Sequence, residues 1–304
     1  MFPVVLLSFL ALAIPVFGTQ PADHETQQPT RQAGPLGVSA VQGQDNVTTA
    51  ISQELADGEA AIWYLGHCGW AIKTKTRLMI FDYWEQDAIE GEASLTTGRI
   101  NPAELRDLDV YMFVSHAHGD HYDRTILDWA RTVPNITYIF GWDAGLDPSF
   151  IYMREERAER TFGDMQVFTV NHSFDRIPEV AYLVKVDGLV IYHSGDHAST
   201  TEVPNETFSG NIDYFASLQE SVDLAFISTF GRRGGAIVNN GDLYTIERLR
   251  PRTVFPMHHG GGEDLNQRFA DQVADRVAPT SILAARHLGD EFFYSNGQTR
   301  RIHR

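Results

Sequence analysis

The stretch Val114-Ser115-His116-Ala117-His118-Gly119-Asp120-His121 constrains this chain more than any other. It sets three imidazoles and a carboxylate within six residues, directly behind the apolar run Val110-Tyr111-Met112-Phe113-Val114. An apolar run closed by a glycine-containing turn reads as a buried strand. The histidines and Asp120 then occupy the loop at the strand's end, ahead of a helix-like segment from Asp123 to Arg131. Imidazole with carboxylate is the donor set of zinc and similar divalent ions. His116 and His118, two apart on extended backbone, project the same way and can share one ion. The alternative is a His-rich turn that binds nothing, but burying such a cluster without a cation leaves polar groups unpaired at considerable cost.

The remaining composition narrows the class. Of 304 residues, 43% are hydrophobic, ample for a large core. Lys and Arg number 24 against 40 Asp and Glu, a formal charge of -16. Nucleic-acid binding relies on cationic side chains neutralising phosphates, so no nucleic-acid partner is expected. A small-molecule substrate fits, and even an anionic one stays open, because bound metal ions reverse the local field. The lone Cys68 excludes an intramolecular disulfide and reads as a small buried residue.

Residues 1–18, MFPVVLLSFLALAIPVFG, carry no charge and are mostly apolar. They read as a signal peptide cleaved after Gly18, which makes the protein secreted or periplasmic. An uncleaved N-terminal membrane anchor is the competing reading; Pro15 and the short length count against it. Later segments are too short or too polar to span a bilayer, so no stable membrane span is expected once the leader is gone. Residues 19–50, rich in Gln, Thr, Pro and Gly, read as a disordered leader. Residues 51–304 read as one domain without a clear internal boundary.

Within it, Ala61–Leu65, Trp70–Thr74 and Arg77–Phe81 form a three-stranded meander, followed by a short helix from Asn101 to Leu105. Strands are expected at Ile136–Phe140, Met165–Val170, Val180–Val186 and Leu189–Tyr192, the last two joined by the hairpin dipeptide Asp187-Gly188. Residues 141–159 show no regular pattern. Helices near Ile212–Leu218, Leu243–Leu249 and Asp264–Ala274 alternate with strands at Leu224–Ser228, Thr253–Phe255, Ser281–Ala284 and Glu291–Tyr294. The pattern is that of a layered α/β or α+β domain.

His116-x-His118-x-Asp120-His121 resembles the HxHxDH signature of the metallo-β-lactamase superfamily, and further segments follow in the family's order. Ile80-Phe81-Asp82 resembles its strand-ending aspartate, and Asn171-His172-Ser173 its third metal-site histidine. His193-Ser194-Gly195-Asp196 resembles its bridging-aspartate segment, and Pro256-Met257-His258 its last histidine. The resemblance covers roughly residues 60 to 290. It implies a four-layer αβ/βα sandwich, two mixed β-sheets flanked by helices. Leu65-Gly66-His67 resembles the LGH segment of the branch containing ascorbate-6-phosphate lactonase and the N-acyl-phosphatidylethanolamine phospholipase D type.

By that resemblance, His116, His118 and His172 bind one metal; Asp120, His121 and His258 bind a second; and Asp196 bridges them. Two divalent ions are implied, zinc first and manganese or iron as alternatives. His258 is favoured over His259 by the P-x-H register. Asp82, His67, His193, His197 and Arg232 would orient ligands or line the pocket, each with a structural role as the alternative. His197 stands where many relatives carry a small hydroxyl residue. The implied reaction is attack of a metal-bridging hydroxide on a small ester, lactone or phosphodiester, with His116, His118 and Asp120 at its centre. The alternatives are a β-lactamase-type amide hydrolase, and a non-catalytic metal-binding protein on the same fold. A redox di-iron site, as in relatives with glutamate at position 118, is disfavoured by the histidine there.

Overall fold

A computed structural model describes residues 49–85, 91–172, 178–201, 203–230 and 237–302. The two leader segments expected at 1–18 and 19–50 lie almost wholly outside the described residues, as does Arg232. After a single helical turn, α1 (Thr49–Ser52), the chain enters its first sheet. That sheet contains β1 (Ala60–Gly66), β2 (Gly69–Lys73), β3 (Leu78–Phe81), β4 (Val110–Val114), β5 (Ile136–Phe140) and β6 (Ile151–Tyr152). β1 to β3 form the antiparallel meander, and β3 to β6 run parallel. The chain then crosses to a second sheet of β7 (Arg157–Phe162), β8 (Met165–Asn171), β9 (Val180–Val186), β10 (Leu189–His193), β11 (Leu224–Ser228), β12 (Thr253–Met257) and β13 (Ser281–Ile282). β7 to β10 are antiparallel and β10 to β13 parallel. β14 (Glu291–Ser295) and β15 (Gln298–Ile302) return to the first sheet beside β1, making eight strands there against seven in the second.

Period-2 alternation decides the layering. Ile62 and Tyr64 of β1, Met79 and Phe81 of β3, and Tyr111 and Phe113 of β4 join Val167, Val184, Ile191, Phe226 and Phe255 in one core between the sheets. Trp70 is its hub, fully buried, with ring centroids 4.9 Å from Tyr64 and Phe226 and 5.0 Å from Phe255. The intervening residues, Ala61, Trp63, Leu78, Ile80, Val110 and Met112, pack outward against Ile126, Trp129 and Val133. On the far side, Phe168, Leu183 and Tyr192 meet α2 (Glu206–Ser217), α3 (Asn240–Leu249) and α4 (Asp264–Val273) through Phe208, Phe215, Ile246 and Phe269. A central parallel strand is covered on both faces, and all five residues of β4 are buried. The result is the four-layer α/β sandwich.

Several expected elements differ in detail. Residues 124–131 form 3₁₀ turns, with the Asp123 side chain accepting from Thr125 N–H at 2.9 Å. Pro102–Leu105 is also 3₁₀. The stretch 141–159 contains β6 and the start of β7, and β15 follows β14. β7 and β15 are edge strands whose sequences, RAERTF and QTRRI, leave most residues exposed or half-buried. Charged edges block further pairing but erase the apolar alternation that marks a strand. The Asp187-Gly188 hairpin is present, both residues at positive φ.

Candidate metal centre

β1, β3, β4, β8, β10, β11 and β12 all end at one rim of the sandwich. A parallel sheet delivers its loops to a single crevice, where ligands bind in open α/β folds. Here the loops bring His67, Asp82, His116–His121, His172, His193–Asp196, Thr229 and His258 to that rim. Three of these, His67 (φ 50°), Asp82 (φ 44°) and His258 (φ 77°), are non-glycine residues with left-handed backbone. Such conformations cost about 1–3 kcal/mol each and persist where surrounding structure fixes them.

Asp82 is the anchor beneath the cluster. It is buried, and its Oδ1 accepts from Ser115 N–H at 2.7 Å. Its Oδ2 accepts from Ser115 Oγ–H at 2.7 Å and from His121 Nδ1–H at 2.9 Å. With its hydroxyl hydrogen directed at Asp82, Ser115 Oγ accepts from His116 Nδ1–H at 2.9 Å. Both rings therefore turn their Nε2 to the opposite side. That of His116 lies 2.9 Å from His118 Nδ1 and 3.7 Å from Asp196 Oδ2.

Asp196 stands at the centre. Its Oδ1 lies 3.1 Å from Nε2 of both His121 and His258, without hydrogen-bond geometry to either. It is His258, not His259, that faces the cluster; the His259 ring turns inward, 3.1 Å from Thr229 Oγ1. His193, stacked under Phe81, donates from Nε2 to Cys68 O at 2.9 Å and accepts Gly195 N–H at Nδ1, 3.2 Å. Both its nitrogens are thus used in holding the turn that carries Asp196. Cys68 is buried, its Sγ 3.6 Å from Ser228 Oγ.

His67 accepts Gly260 N–H at Nδ1 (3.1 Å), so its Nε2 carries the proton and points at Asp120 Oδ2, 3.4 Å away. His172 is half-buried, its ring centroid 4.5 Å from His197, which in turn stacks on Phe208 at 4.7 Å. Beside His172 lies Glu179, a carboxylate the sequence reading did not single out. It is 1% exposed, with Oε2 3.5 Å from His172 Nδ1 and Oε1 4.0 Å from His116 Nε2. A lone acid abutting the apolar strand Val180–Val186 was the only signal available for it.

Electrostatics follow from burial of so many ionisable groups together. Desolvation holds His172 and His67 down at about 3 and His116 at about 4, with neighbouring imidazoles adding to the effect. It pushes Glu179 up to about 8, reinforced by the Asp196 charge. At His121 burial opposes, but Asp196 and Asp82 prevail and raise it to about 10. At Asp196 burial again opposes, and the His121 and His258 rings hold the carboxyl far below its ordinary range.

Comparison with known proteins places this arrangement. The model of the β-lactamase superfamily domain matches residues 61–258, from the first long strand through the last histidine of the cluster. The chain belongs to the metallo-β-lactamase superfamily. Among curated superfamily relatives, a UPF0173 metal-dependent hydrolase of Pyrococcus furiosus is 25% identical over 215 residues, 65% of this chain and 84% of that protein. One from Pyrococcus abyssi is 25% identical over 228 residues, 70% of this chain and 92% of its own length. Among solved structures, Igni18, a metallo hydrolase from Ignicoccus hospitalis, superposes with a TM-score of 0.58 at 16% identity, covering 78% of this chain and 99% of its own. CmlA, a diiron beta-hydroxylase from Streptomyces venezuelae, gives 0.54 at 13% identity over 81% of this chain and 54% of its own. These two share the superfamily fold.

The superfamily's metal chemistry suits the residues present. His67 Nε2, His121 Nε2, His172 Nε2, Glu179 Oε2 and Asp196 Oδ1 are all buried without a hydrogen-bond partner. A bare imidazole nitrogen 3.1 Å from a carboxylate oxygen sets lone pair against lone pair, and a proton or a metal cation resolves it. Two donor groups, each with ligand atoms mutually within 4.8 Å, stand side by side: His116, His118, Glu179 and Asp196; and His67, Cys68, His121 and His258. Of the seven side chains the superfamily resemblance nominates as ligands, five lie in these groups. Asp120, with its side chain 46% exposed, reaches His67, and His172 reaches Glu179.

Proposed function

We propose that this chain is an exported hydrolase of the metallo-β-lactamase superfamily that uses two divalent metal ions, zinc foremost, to cleave a small ester, lactone or phosphodiester. The observation that carries the reading is the convergence of His116, His121, His258 and Asp196 at one rim, with buried donor atoms left unpaired. The superfamily match and relatives named as metal-dependent hydrolases support the reaction class. His116, His118 and His172 would hold the first ion and Asp120, His121 and His258 the second, with Asp196 between them.

Such ions supply Lewis acidity and a water acidic enough to act as a nucleophile near neutral pH. The chain's own contribution is preorganisation. Asp82 and Ser115 fix the His116 and His121 tautomers so that each Nε2 is aimed and unprotonated when an ion is bound. His193 holds the Gly195 turn, and with it the Asp196 carboxylate. His67 offers an N–H toward Asp120, restraining that side chain or donating to a substrate oxygen. The half-buried rings of Trp84 and Phe230 flank His67 and His258, an apolar rim suited to the organic part of an ester. The LGH segment, with His67 at the rim, supports the lactonase- or phosphodiesterase-like branch over a β-lactamase. Export is supported by the charge-free apolar residues 1–18.

The test is chelation followed by reloading with zinc or manganese, assayed against lactones, phosphodiesters, esters and β-lactams. Hydrolysis of one of the first three classes, restored by metal, is expected. Protein that carries no transition metal and gains no hydrolysis on adding one would sink the reading. N-terminal sequencing of the protein outside the cytoplasm should begin after Gly18; an intact leader in the membrane fraction would contradict export.

A further inference from the structure

Glu179 has no place in the ligand set drawn above, yet no other carboxylate at the rim is so poorly provided for. It is 1% exposed, and its Oε2 has no hydrogen-bond partner. Among the described residues, no Lys or Arg lies within salt-bridge reach; only the imidazoles of His116 and His172 come within 4.0 Å. A carboxyl buried in this way keeps its proton unless something cationic meets it, and a cation placed there would draw out the ionised form. Its backbone is not free to swing away. His172 N–H donates to Glu179 O at 2.9 Å, and the next residue, Val180, donates to Ser115 O at 3.2 Å. The carboxylate therefore stands on a rigid strand start, clamped between the end of β8 and the histidine loop after β4. One ligand atom from each of His116, His118, Glu179 and Asp196 lies within 4.8 Å of the others, a spacing that a single ion can span.

We propose that Glu179 is a further ligand of the centre, giving a carboxylate oxygen to the ion held by His116 and His118. This rests on the metal-centre reading above and adds to it. With Asp120 and Asp196, Glu179 would bring the carboxylates offered to the two ions to three, while Asp82 stays behind His121. An oxygen donor in place of an all-imidazole set also makes this position harder, improving its competition for Mn²⁺ relative to zinc.

The experiment compares full-length wild type with Glu179→Gln, which keeps the side chain's volume and removes the charge. Bound metal is counted by elemental analysis, and Zn²⁺ and Mn²⁺ affinities are read by chelator competition. Loss of one equivalent, or weakening of one site by about tenfold or more, is expected, with Mn²⁺ suffering more than Zn²⁺. In cobalt-loaded protein the visible ligand-field band should move in the variant. Two equivalents at wild-type affinity would overturn the inference while leaving the metal centre and the hydrolase reading intact. Weaker binding with an unmoved cobalt band would put Glu179 behind His172 instead of on the ion, and overturns it equally. A wild type that binds no metal at all overturns the centre itself. Should Glu179→Gln fail to fold, Glu179→Asp keeps the charge one methylene short, and metal affinity below wild type is expected; wild-type affinity there would count against the assignment.

Discussion

Asp82→Asn probes how the chain builds its metal rim. The substitution keeps volume, and asparagine tolerates the left-handed backbone at this position (φ 44°). The Oδ1 bond from Ser115 N–H survives. What is lost is Oδ2, which accepts from Ser115 Oγ–H and from His121 Nδ1–H. Hydrogen bonds to a charged partner contribute about 1.5–3 kcal/mol each. Ser115 can reverse its hydroxyl and accept from the new amide, so part of that loss is recovered. His121, fully buried, loses the acceptor at Nδ1 and keeps only Asp196 Oδ1 beside Nε2, 3.1 Å away. The net cost is therefore about 3 kcal/mol, inside the range of about 3–5 kcal/mol for breaking a buried charged pair. For a chain of this size that lowers Tm by about 6–12 °C. Urea unfolding of chelated protein, followed by tryptophan fluorescence, measures it directly. Because His121 also loses its orientation, affinity for one metal should fall about 10–100-fold. A variant within about 0.5 kcal/mol of wild type and with unchanged metal affinity would refute the role assigned to Asp82.

Two further outcomes follow from the same geometry. A Cβ at Gly195 (φ 52°) would sit 2.7 Å from Ser115 Cβ and 2.9 Å from Val180 O, so Gly195→Ala must displace the turn carrying Asp196. Metal affinity should drop at least tenfold by chelator competition while circular dichroism stays native; unchanged affinity would mean the turn is not what places Asp196. Away from the rim, burial raises Asp242 at the start of α3 to about 7. A carboxyl raised in the folded state favours folding below its unfolded value, and that contribution is lost as pH climbs to its folded value. Wild-type stability should therefore fall by up to about 4 kcal/mol between about pH 4 and 7 from this group. Asp242→Asn, which can still accept Asn239 N–H, should gain about 3 kcal/mol on wild type between pH 4.5 and 8 in urea unfolding. An equal difference at both pH values would contradict the sign.

The parts of the molecule legible in the sequence are those where one local pattern decides the outcome. The five-residue apolar run of β4 and the loop behind it read directly, because a parallel central strand is buried on both faces and has no polar residue to blur it. Asp187-Gly188 fixes its hairpin by backbone conformation alone. The edge strands β7 and β15 were invisible for the opposite reason: their residues meet solvent, and charge is what keeps an edge unpaired. At the rim, the histidine loop, Asp196 and His258 were nominated by their segments. Orientation was not legible. Nothing in His193-Ser194-Gly195-Asp196 says that His193 spends both nitrogens on backbone groups, or that His67 gives its Nδ1 to Gly260 and keeps its N–H for the crevice. Glu179 has no local pattern at all; it reaches His116 only through the pairing of β8 with β9 and the contact of Val180 with Ser115.

The central claim is that this rim holds two catalytic metal ions. Anomalous diffraction from crystals of the full-length protein grown with zinc, recorded above and below the zinc edge, locates them. Two peaks are predicted, one beside His116 and His118 and one beside His121 and His258, with Asp196 contacting both. A single peak, or none at the rim in protein that still hydrolyses its substrate, would contradict the account.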